Sequence, residues 1–464
     1  MTLPSLSKFP ARPGDLPVRG RGLSLASPFY TLSRGLFLAT IFSAPWAFGA
    51  VQPWGWGALV VLSLLALVLW VAGCVHSGEL RITWSPFYWP FLAFIAIACV
   101  QLFAGLTTDR VGTREALLKL VTNFMFFFLA GQFLCPQPAR RRSLERWGLL
   151  VLTLALGLSV LALAQVITSS HGLIYWTVKT TYGPYGPYVS YNDYCGIMEM
   201  LTPVAVGYIL SQAFPKLLRL LLWLAVGTAL ASIWISGSRG GTAVTLVEAA
   251  VFGFFILRHW KQAAWRRMLP LIAGLILACG AVFLLVGVSH VTDRGLSVFQ
   301  TDKSFEVKLG DRLWVAKDTL RIALHNPKLG VGVGCFEYVF PAYATHTTDL
   351  HWTHAHNDLF EALAETGLPG GLVLVWGLGV FFWLGFRNLS NTLRTDWGWI
   401  RAGALVATIG LGVHSLVDFN LRIPANAAWF VVCLAVVTQP YFLTDRVRVL
   451  RSNPTWEPSG KFVN

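Results

Sequence analysis

Long apolar runs decide what this chain can fold into. Segments of roughly 20 mainly apolar residues recur along it, and a helix of that length crosses the hydrocarbon core of a bilayer. Only 12% of the residues are charged, which is far below the share in soluble domains. We therefore predict an all-α, polytopic membrane protein with about twelve transmembrane helices. The predicted spans are 32–50, 55–76, 86–105, 115–135, 147–168, 191–212, 218–236, 240–257, 268–288, 368–386, 399–417 and 425–443.

The basic residues predict how the spans are oriented. They cluster around residues 140–146, 216–219 and 258–267 and in both tails, which by the positive-inside rule are cytoplasmic. The net charge of +14 therefore reflects topology and contact with membrane lipids, and it predicts no nucleic-acid partner. The predicted organisation is a cytoplasmic tail (1–31), nine spans (32–288), an outer loop (289–367), three spans (368–443) and a second cytoplasmic tail (444–464).

The outer loop of about 80 residues is long enough to carry function or structure of its own. Apolar residues at helical spacing over 311–325 predict an amphipathic helix near the membrane surface, ended by Asn326-Pro327. A second helix is predicted to begin near Asn357 and to stop at Gly367-Leu368-Pro369. The glycines of 330–334 are not read as a nucleotide-binding loop, because no Walker lysine follows them.

Four of the ten histidines lie within eleven residues of this loop, at His346, His351, His354 and His356. They are open to three interpretations. His354 and His356 could bind zinc together with His351 or a nearby aspartate, Asp349 or Asp358. They could be hydrogen-bonded parts of a folded loop. They could also supply a general base, because an ordinary imidazole accepts a proton near neutral pH.

Arginines are the candidates for binding an anion. Arg239 lies in Ser236-Gly-Ser-Arg-Gly-Gly241, between two spans and at the start of a helix, where glycines and free backbone N–H groups favour a phosphate. An arginine reaching towards lipid headgroups is the alternative. Arg312 and Arg321 lie on the predicted loop helix, where basic residues commonly form a solvated or headgroup-facing surface.

Polar residues at the ends of two spans are further candidates. His414 and Asp418 are four residues apart, which predicts that they share a helix face. They either fix helix packing or form a second wall of the site. Tyr191 and Asn192 begin the sixth span, where they could bind sugar hydroxyls or satisfy neighbouring polar groups. The seven scattered cysteines are interpreted as packing residues.

Several motifs occur in an order that resembles the O-antigen ligase and polymerase superfamily. They span roughly residues 185–385 and leave the long loop in the expected place. The motifs are Tyr191-Asn192, Ser236-Gly-Ser-Arg239-Gly-Gly, Arg312-x-Trp314, His325-Asn-Pro-x-x-Gly-Val-Gly-x-Gly334, His356-Asn357-x-x-x-Glu361 and Glu365-x-Gly367.

This resemblance implies a GT-C-like glycosyltransferase of the bacterial inner membrane that needs no metal or other cofactor. It implies a donor glycan on undecaprenyl diphosphate and a periplasmic active site, in which His356 is the base and Arg239 and Arg312 hold the diphosphate. The acceptor would be lipid A core for a ligase, which the motifs favour, or a second lipid-linked glycan for a polymerase. A lipid-linked sugar transporter is the alternative of another class. The predicted substrate-binding residues are His354, Asn357, Tyr191, Asn192, Arg321, His414 and Asp418.

Overall fold

A computed structural model describes residues 27–78, 80, 82–134, 141–169, 173–179, 183–211, 213–259, 303–346, 351–393 and 395–440. Within these ranges the chain is mainly helical and contains isolated β-bridges but no β-strand, so the all-α prediction is confirmed. The helices are α1 (Pro28–Ser43), α2 (Pro53–Ser77), α3 (Tyr88–Phe103), α4 (Arg110–Leu134), α5 (Arg141–Thr168), α6 (Tyr191–Ser211), α7 (Lys216–Ser236), α8 (Arg239–His259), α9 (Lys303–His325), α10 (Phe336–Val339), α11 (Asp358–Thr392), α12 (Asp396–His414) and α13 (Pro424–Thr438). Short 3₁₀ turns lie at Phe48–Ala50, Phe340–Ala342 and Asn420–Arg422.

The described helices confirm an integral, polytopic membrane protein. Seven of them are long and apolar enough to cross a bilayer: α2, α4, α6, α7, α11 and most of α5 and α8. Helices α3 and α13 are shorter but also apolar. Large apolar side chains such as Val75 and Val375 are exposed on α2 and α11, as expected of surfaces that face lipid. The predicted ninth span (268–288) lies outside the described residues, and the total of twelve spans stays a prediction.

Helix α6 forms the centre of the bundle, and 94% of its apolar stretch is buried. Helix α12 packs along it at very close range. A Cβ on Gly207 of α6 would lie 2.6 Å from the carbonyl oxygen of Trp399, and a Cβ on Gly403 of α12 would collide with the carbonyl oxygen of Pro203. Glycine at such contacts lets two helix backbones approach. The first residues of α6 and the turn after α12 are thereby brought to the same end of the bundle.

The segment 303–346 folds against that same end. Helix α9 ends at His325, as the Asn326-Pro327 signal predicts. Gln101 of α3 holds the glycine-rich turn that follows: its amide nitrogen donates to the carbonyl of Leu329 (2.5 Å) and to that of Glu365 (2.7 Å). Its amide oxygen accepts the N–H of Val333 at 3.0 Å. The outer segment is therefore fixed directly to the membrane helices.

Helix α11 begins and breaks where the sequence predicts. Its start at Asp358 agrees with the predicted start near Asn357. The predicted stop at Gly367-Leu368-Pro369 is confirmed as a break inside α11, because Gly367 is non-helical, with φ of 64° and ψ of −159°, and the N–H of Leu368 donates to the carbonyl of Pro327. The short helix before Gly367 and the apolar helix that runs on to Thr392 are thus two pieces joined at this break. Glycine permits the break, because its missing Cβ allows the left-handed region.

Candidate active site

His356 and Asp418 meet at the end of the bundle where α6 begins and α12 ends, although they come from two separate loops. The Nδ1 atom of His356 lies 3.1 Å from Oδ1 of Asp418. The loops are also joined through Asn357, whose side-chain amide donates to the carbonyl of Leu416 at 2.8 Å while its oxygen caps α11. The N–H of Asp358 donates to the carbonyl of residue 415 at 2.9 Å. Asn357 therefore has a clear structural role beside the histidine.

The Asp418 carboxylate is a buried hub for four groups. Besides His356, it accepts the side-chain amide of Asn192 at 2.6 Å and the N–H of Phe419 at 3.0 Å. Nη2 of Arg312 lies 3.7 Å away. Burial would raise the pKa of Asp418, but the hydrogen bond from His356 and the positive charge of Arg312 hold that pKa well below its usual range. The carboxylate is therefore ionised.

An ionised carboxylate only accepts hydrogen bonds, so it selects one form of the imidazole. In a neutral imidazole at this position the proton lies on Nδ1, which leaves the lone pair on Nε2. The ring is also held from two sides, because the rings of Phe419 and Trp352 lie 4.8 and 5.5 Å away, centroid to centroid. The His356 side chain remains 22% exposed. It is thus an oriented imidazole that an outside ligand can reach.

Asn192 connects this pair to the start of α8. Its side-chain oxygen accepts the hydroxyl of Ser238 at 2.7 Å. The same hydroxyl caps α8 by accepting the N–H of Gly241 at 3.0 Å. Arg239, which is half-buried, is the first residue of α8. Asn192 thus bridges Asp418 and Ser238, the residue just before Arg239.

Arg312 reaches the same place from α9. Its Nη1 donates to the carbonyl of Val417 at 3.1 Å, and 36% of its side chain is exposed. A guanidinium has five N–H donors in a planar fork, so these contacts leave it able to bind a ligand anion. The site therefore combines an oriented imidazole, an exposed guanidinium and a helix N-terminus that favours negative charge.

His354 is paired differently from His356. Its Nδ1 lies 2.9 Å from Oε1 of Glu361, whose other oxygen accepts the N–H of Ala355 at 2.7 Å. Its ring packs on Phe419 at 4.7 Å between centroids. His354 is therefore built into the wall of the loop that carries His356.

Arg321 and Tyr191 lie at the margins of the cluster. Arg321 is nine residues beyond Arg312 on α9, and its guanidinium donates to Asp318 at 2.7 Å. The N–H of Tyr191 donates to the carbonyl of Gly183 at 3.0 Å, against which its ring also packs. Neither residue is shown in contact with the His356–Asp418 pair.

The predicted shared helix face of His414 and Asp418 is wrong. Helix α12 ends at His414, and a turn carries Asp418 away from the helix. His414 is buried, with Nδ1 3.0 Å from Oε2 of Glu199 on α6. A Cβ on Gly240 would lie 2.7 Å from its Nε2. His414 therefore packs beneath the first turn of α8, whereas Asp418 binds the exposed imidazole.

The donor set does not match the zinc interpretation. Among the residues that the structure describes, no three His, Cys, Asp or Glu side chains are grouped so as to hold a metal ion. His354 and His356 bind different carboxylates. Asp349 lies outside the described residues. The described cysteines, at positions 74, 99, 195, 335 and 433, are free thiols, and all but Cys99 are buried.

Two residues in this region have no role predicted from the sequence. Glu361 binds the residues just before His356, and Arg422 lies 3.3 Å from it. A usable signal exists, since Asp358, Glu361 and Glu365 share one helix face and buried carboxylates require a cation. Local spacing does not identify Arg422 as that cation, because it is distant in the chain.

Comparison with known protein families gives a match over the middle of the chain. The O-antigen ligase family model matches residues 224–375. The matched segment includes Arg239, Arg312 and His356, while Asn192 and Asp418 lie outside it. The match confirms the resemblance to the O-antigen ligase and polymerase superfamily and supports a membrane glycosyltransferase of the ligase or polymerase type. A search of curated proteins finds no match to the chain.

Proposed function

We propose that this chain, an integral membrane protein with an O-antigen ligase match over residues 224–375, transfers a glycan from undecaprenyl diphosphate to a sugar hydroxyl. The observation that carries the proposal is the hydrogen bond from His356 to the buried Asp418, beside Arg312 and the α8 N-terminus. The enzyme would be of the GT-C type and would lie in a bacterial inner membrane, with both termini in the cytoplasm and this site in the periplasm.

In the proposed reaction, His356 acts as the general base. A sugar hydroxyl is a weak nucleophile, so Nε2 takes its proton as the oxygen attacks the anomeric carbon of the donor. The bond from that carbon to the diphosphate oxygen breaks, and single displacement inverts the anomeric configuration. Asp418 stabilises the imidazolium that forms, because its charge lies 3.1 Å from Nδ1. General-base catalysis of this kind contributes about 10²–10⁴ in rate.

Arg239 and Arg312 would bind the departing diphosphate. Negative charge grows on this group as the bond breaks, so fixed guanidinium and backbone N–H donors stabilise the transition state more than the bound substrate. Loss of one such donor typically costs about 10²–10³ in rate. These cationic groups can neutralise the diphosphate, so we propose a metal-independent reaction. His354 and Asn357 would support the loop, and Tyr191, Asn192 and Arg321 would line the approach of the sugars.

We propose a ligase, whose acceptor is lipid A core. The alternative is a polymerase, whose acceptor is a second lipid-linked glycan. Ligase and polymerase share the chemistry at His356, and the acceptor alone separates them. A transporter of lipid-linked sugars would need the cationic groups but not an exposed imidazole oriented by a carboxylate. The orienting carboxylate of Asp418 therefore favours an enzyme over a transporter.

A reconstituted assay tests the proposal. Purified protein receives an undecaprenyl-diphosphate glycan in chelator, with lipid A core or a second lipid-linked glycan as acceptor. Glycan on lipid A core indicates a ligase, and a lengthened lipid-linked glycan indicates a polymerase. Donor that crosses the membrane with its anomeric bond intact indicates a transporter and overturns the proposed function. Loss of transfer in chelator overturns the proposed metal independence.

A further inference from the structure

The first half of α11 presents three carboxylates on one face. Asp358, Glu361 and Glu365 are each at most 7% exposed, and their spacing of three and four residues aligns them. A single guanidinium faces all three. Nε of Arg422 lies 3.3 Å from Glu361 and 3.8 Å from Asp358, and Nη2 donates to Glu365 at 2.8 Å. Because buried charges must be paired, Arg422 is the counter-ion of this face.

Each of these carboxylates also accepts a backbone N–H from a different part of the site. The donors are Leu421 at 3.0 Å, Ala355 at 2.7 Å and Gly334 at 2.9 Å. They belong to the turn after α12, the loop that carries His354 and His356, and the glycine-rich turn of residues 330–334. Through the three carboxylates, Arg422 therefore connects these three segments.

We propose that Arg422 is a positioning residue that holds His356 and Asp418 at hydrogen-bonding distance. Its partner Glu361 binds the amide of Ala355, the residue just before His356, while Arg422 itself lies four residues after Asp418. One side chain thus spans the two loops. His356 also has a left-handed backbone, with φ of 50°, which a non-glycine residue keeps only when its surroundings hold it there.

The proposal predicts that charge alone does not suffice at this position. A planar guanidinium can contact three carboxylates at once, whereas a lysine ammonium is a single point on a flexible stem. Arg422→Lys therefore keeps the charge but loses simultaneous contact with the three carboxylates. Removing the charge would leave three buried carboxylates without a counter-ion and endanger folding, so the lysine variant is the informative one.

Arg401→Lys is a matched control. Arg401 is a fully buried arginine of α12 that donates to the backbone carbonyls of Val436, Asn388 and Gln439. These partners lie at the ends of α13 and α11 that are remote from His356. A purely structural loss of a multidentate arginine affects both variants alike. A positioning role separates them.

Two readouts are measured in parallel on the full-length protein. The kinetic readout rests on the proposed function. Arg422→Lys should lower the kcat of transfer by about 10–100-fold, because small misplacements of a catalytic group are costly. The KM for the donor should change less than about threefold. The second needs no activity. Carbethoxylation of His356 by diethyl pyrocarbonate, followed by peptide mass spectrometry, should become several-fold faster. Arg401→Lys should lower thermal stability and leave both readouts unchanged.

The two readouts keep the inferences separate. If wild-type protein transfers no glycan, the proposed function fails. The labelling rate of His356 still tests the positioning role of Arg422. Unchanged labelling in folded Arg422→Lys protein overturns the positioning role. So does a fall in kcat that Arg401→Lys reproduces. A double-variant cycle with Asp418→Asn adds a third criterion, because residues acting on one pair give non-additive losses.

Discussion

Asp418→Asn removes the charge that orients His356 while keeping the side-chain shape. The carboxylate accepts hydrogen bonds from three donors: Nδ1 of His356, the amide of Asn192 and the N–H of Phe419. An asparagine has one oxygen and one NH₂ group and cannot accept from all three. If its NH₂ faces His356, the imidazole must accept on Nδ1, and its proton moves to Nε2. If it faces Asn192, two NH₂ groups oppose each other.

The first arrangement removes the base, and the second leaves buried donors unsatisfied at about 1–3 kcal/mol. We therefore expect kcat to fall by about 10²–10⁴, the range for losing a correctly oriented general base. This range corresponds to about 3–5 kcal/mol in activation free energy. The fold should survive. The Arg312–Asp418 pair is 3.7 Å long and its guanidinium is 36% exposed, so it contributes at most about 1 kcal/mol.

The assay compares kcat for wild type, Asp418→Asn and Asp311→Asn. Asp311 is a suitable control because its oxygen accepts from the indole N–H of Trp314 at 3.3 Å, and an asparagine keeps that oxygen. The control should stay within about twofold of wild type. Folded Asp418→Asn protein with a kcat within threefold of wild type would refute the orienting role of Asp418.

Three further predictions follow from the same contacts. Folding lowers the pKa of Asp418. The stability that this carboxylate gives the fold is therefore complete above the unfolded pKa of about 3.9 and is lost as pH falls towards the lower folded pKa. Melting temperatures from about pH 5 to 3 should fall more steeply for wild type than for Asp418→Asn. Gly240→Ala would place a methyl group 2.7 Å from Nε2 of His414, so thermal unfolding should show a loss of about 1–3 kcal/mol, and unchanged stability would contradict this packing. Arg312→Lys keeps the charge but loses the fork, so kcat/KM for the donor should fall about tenfold or more, and an unchanged value would exclude bidentate binding.

Local sequence patterns predicted the helices because their physical causes are local. Apolar runs marked the spans, and Asn326-Pro327 marked the end of α9. Gly367-Leu-Pro369 marked the break inside α11 between the short helix and the following span. The contacts beside this break are not local: the carbonyl of Glu365 accepts from Gln101 of α3, and its carboxylate accepts from Arg422.

The site was predicted as a set of residues but not as a set of contacts. Helical spacing predicted that Asp418 shares a face with His414, whereas the histidine that Asp418 binds is 62 residues away in another loop. Such pairing is decided by tertiary packing, which a single sequence does not encode in its spacing. The same limit applies to Arg422, whose three carboxylates lie on another helix.

The structure also separates the two histidines that the sequence alone does not rank. His354 is bound to Glu361, which is further fixed by Arg422 and by the N–H of Ala355. His356 is bound to Asp418, beside the exposed guanidinium of Arg312. The wall residue His354 and the proposed base His356 are distinguished by what their partners contact. That information is present only in the folded chain.

The most direct test of the account is the rate of glycan transfer by His356→Asn. Asparagine tolerates the left-handed backbone found at this position, so the variant removes the base without new strain. His351→Asn is the control, because His351 is exposed and paired with Glu337 on the same loop. The account predicts that His356→Asn loses at least about 10² in kcat while His351→Asn stays near wild type. Wild-type transfer by folded His356→Asn protein would contradict it.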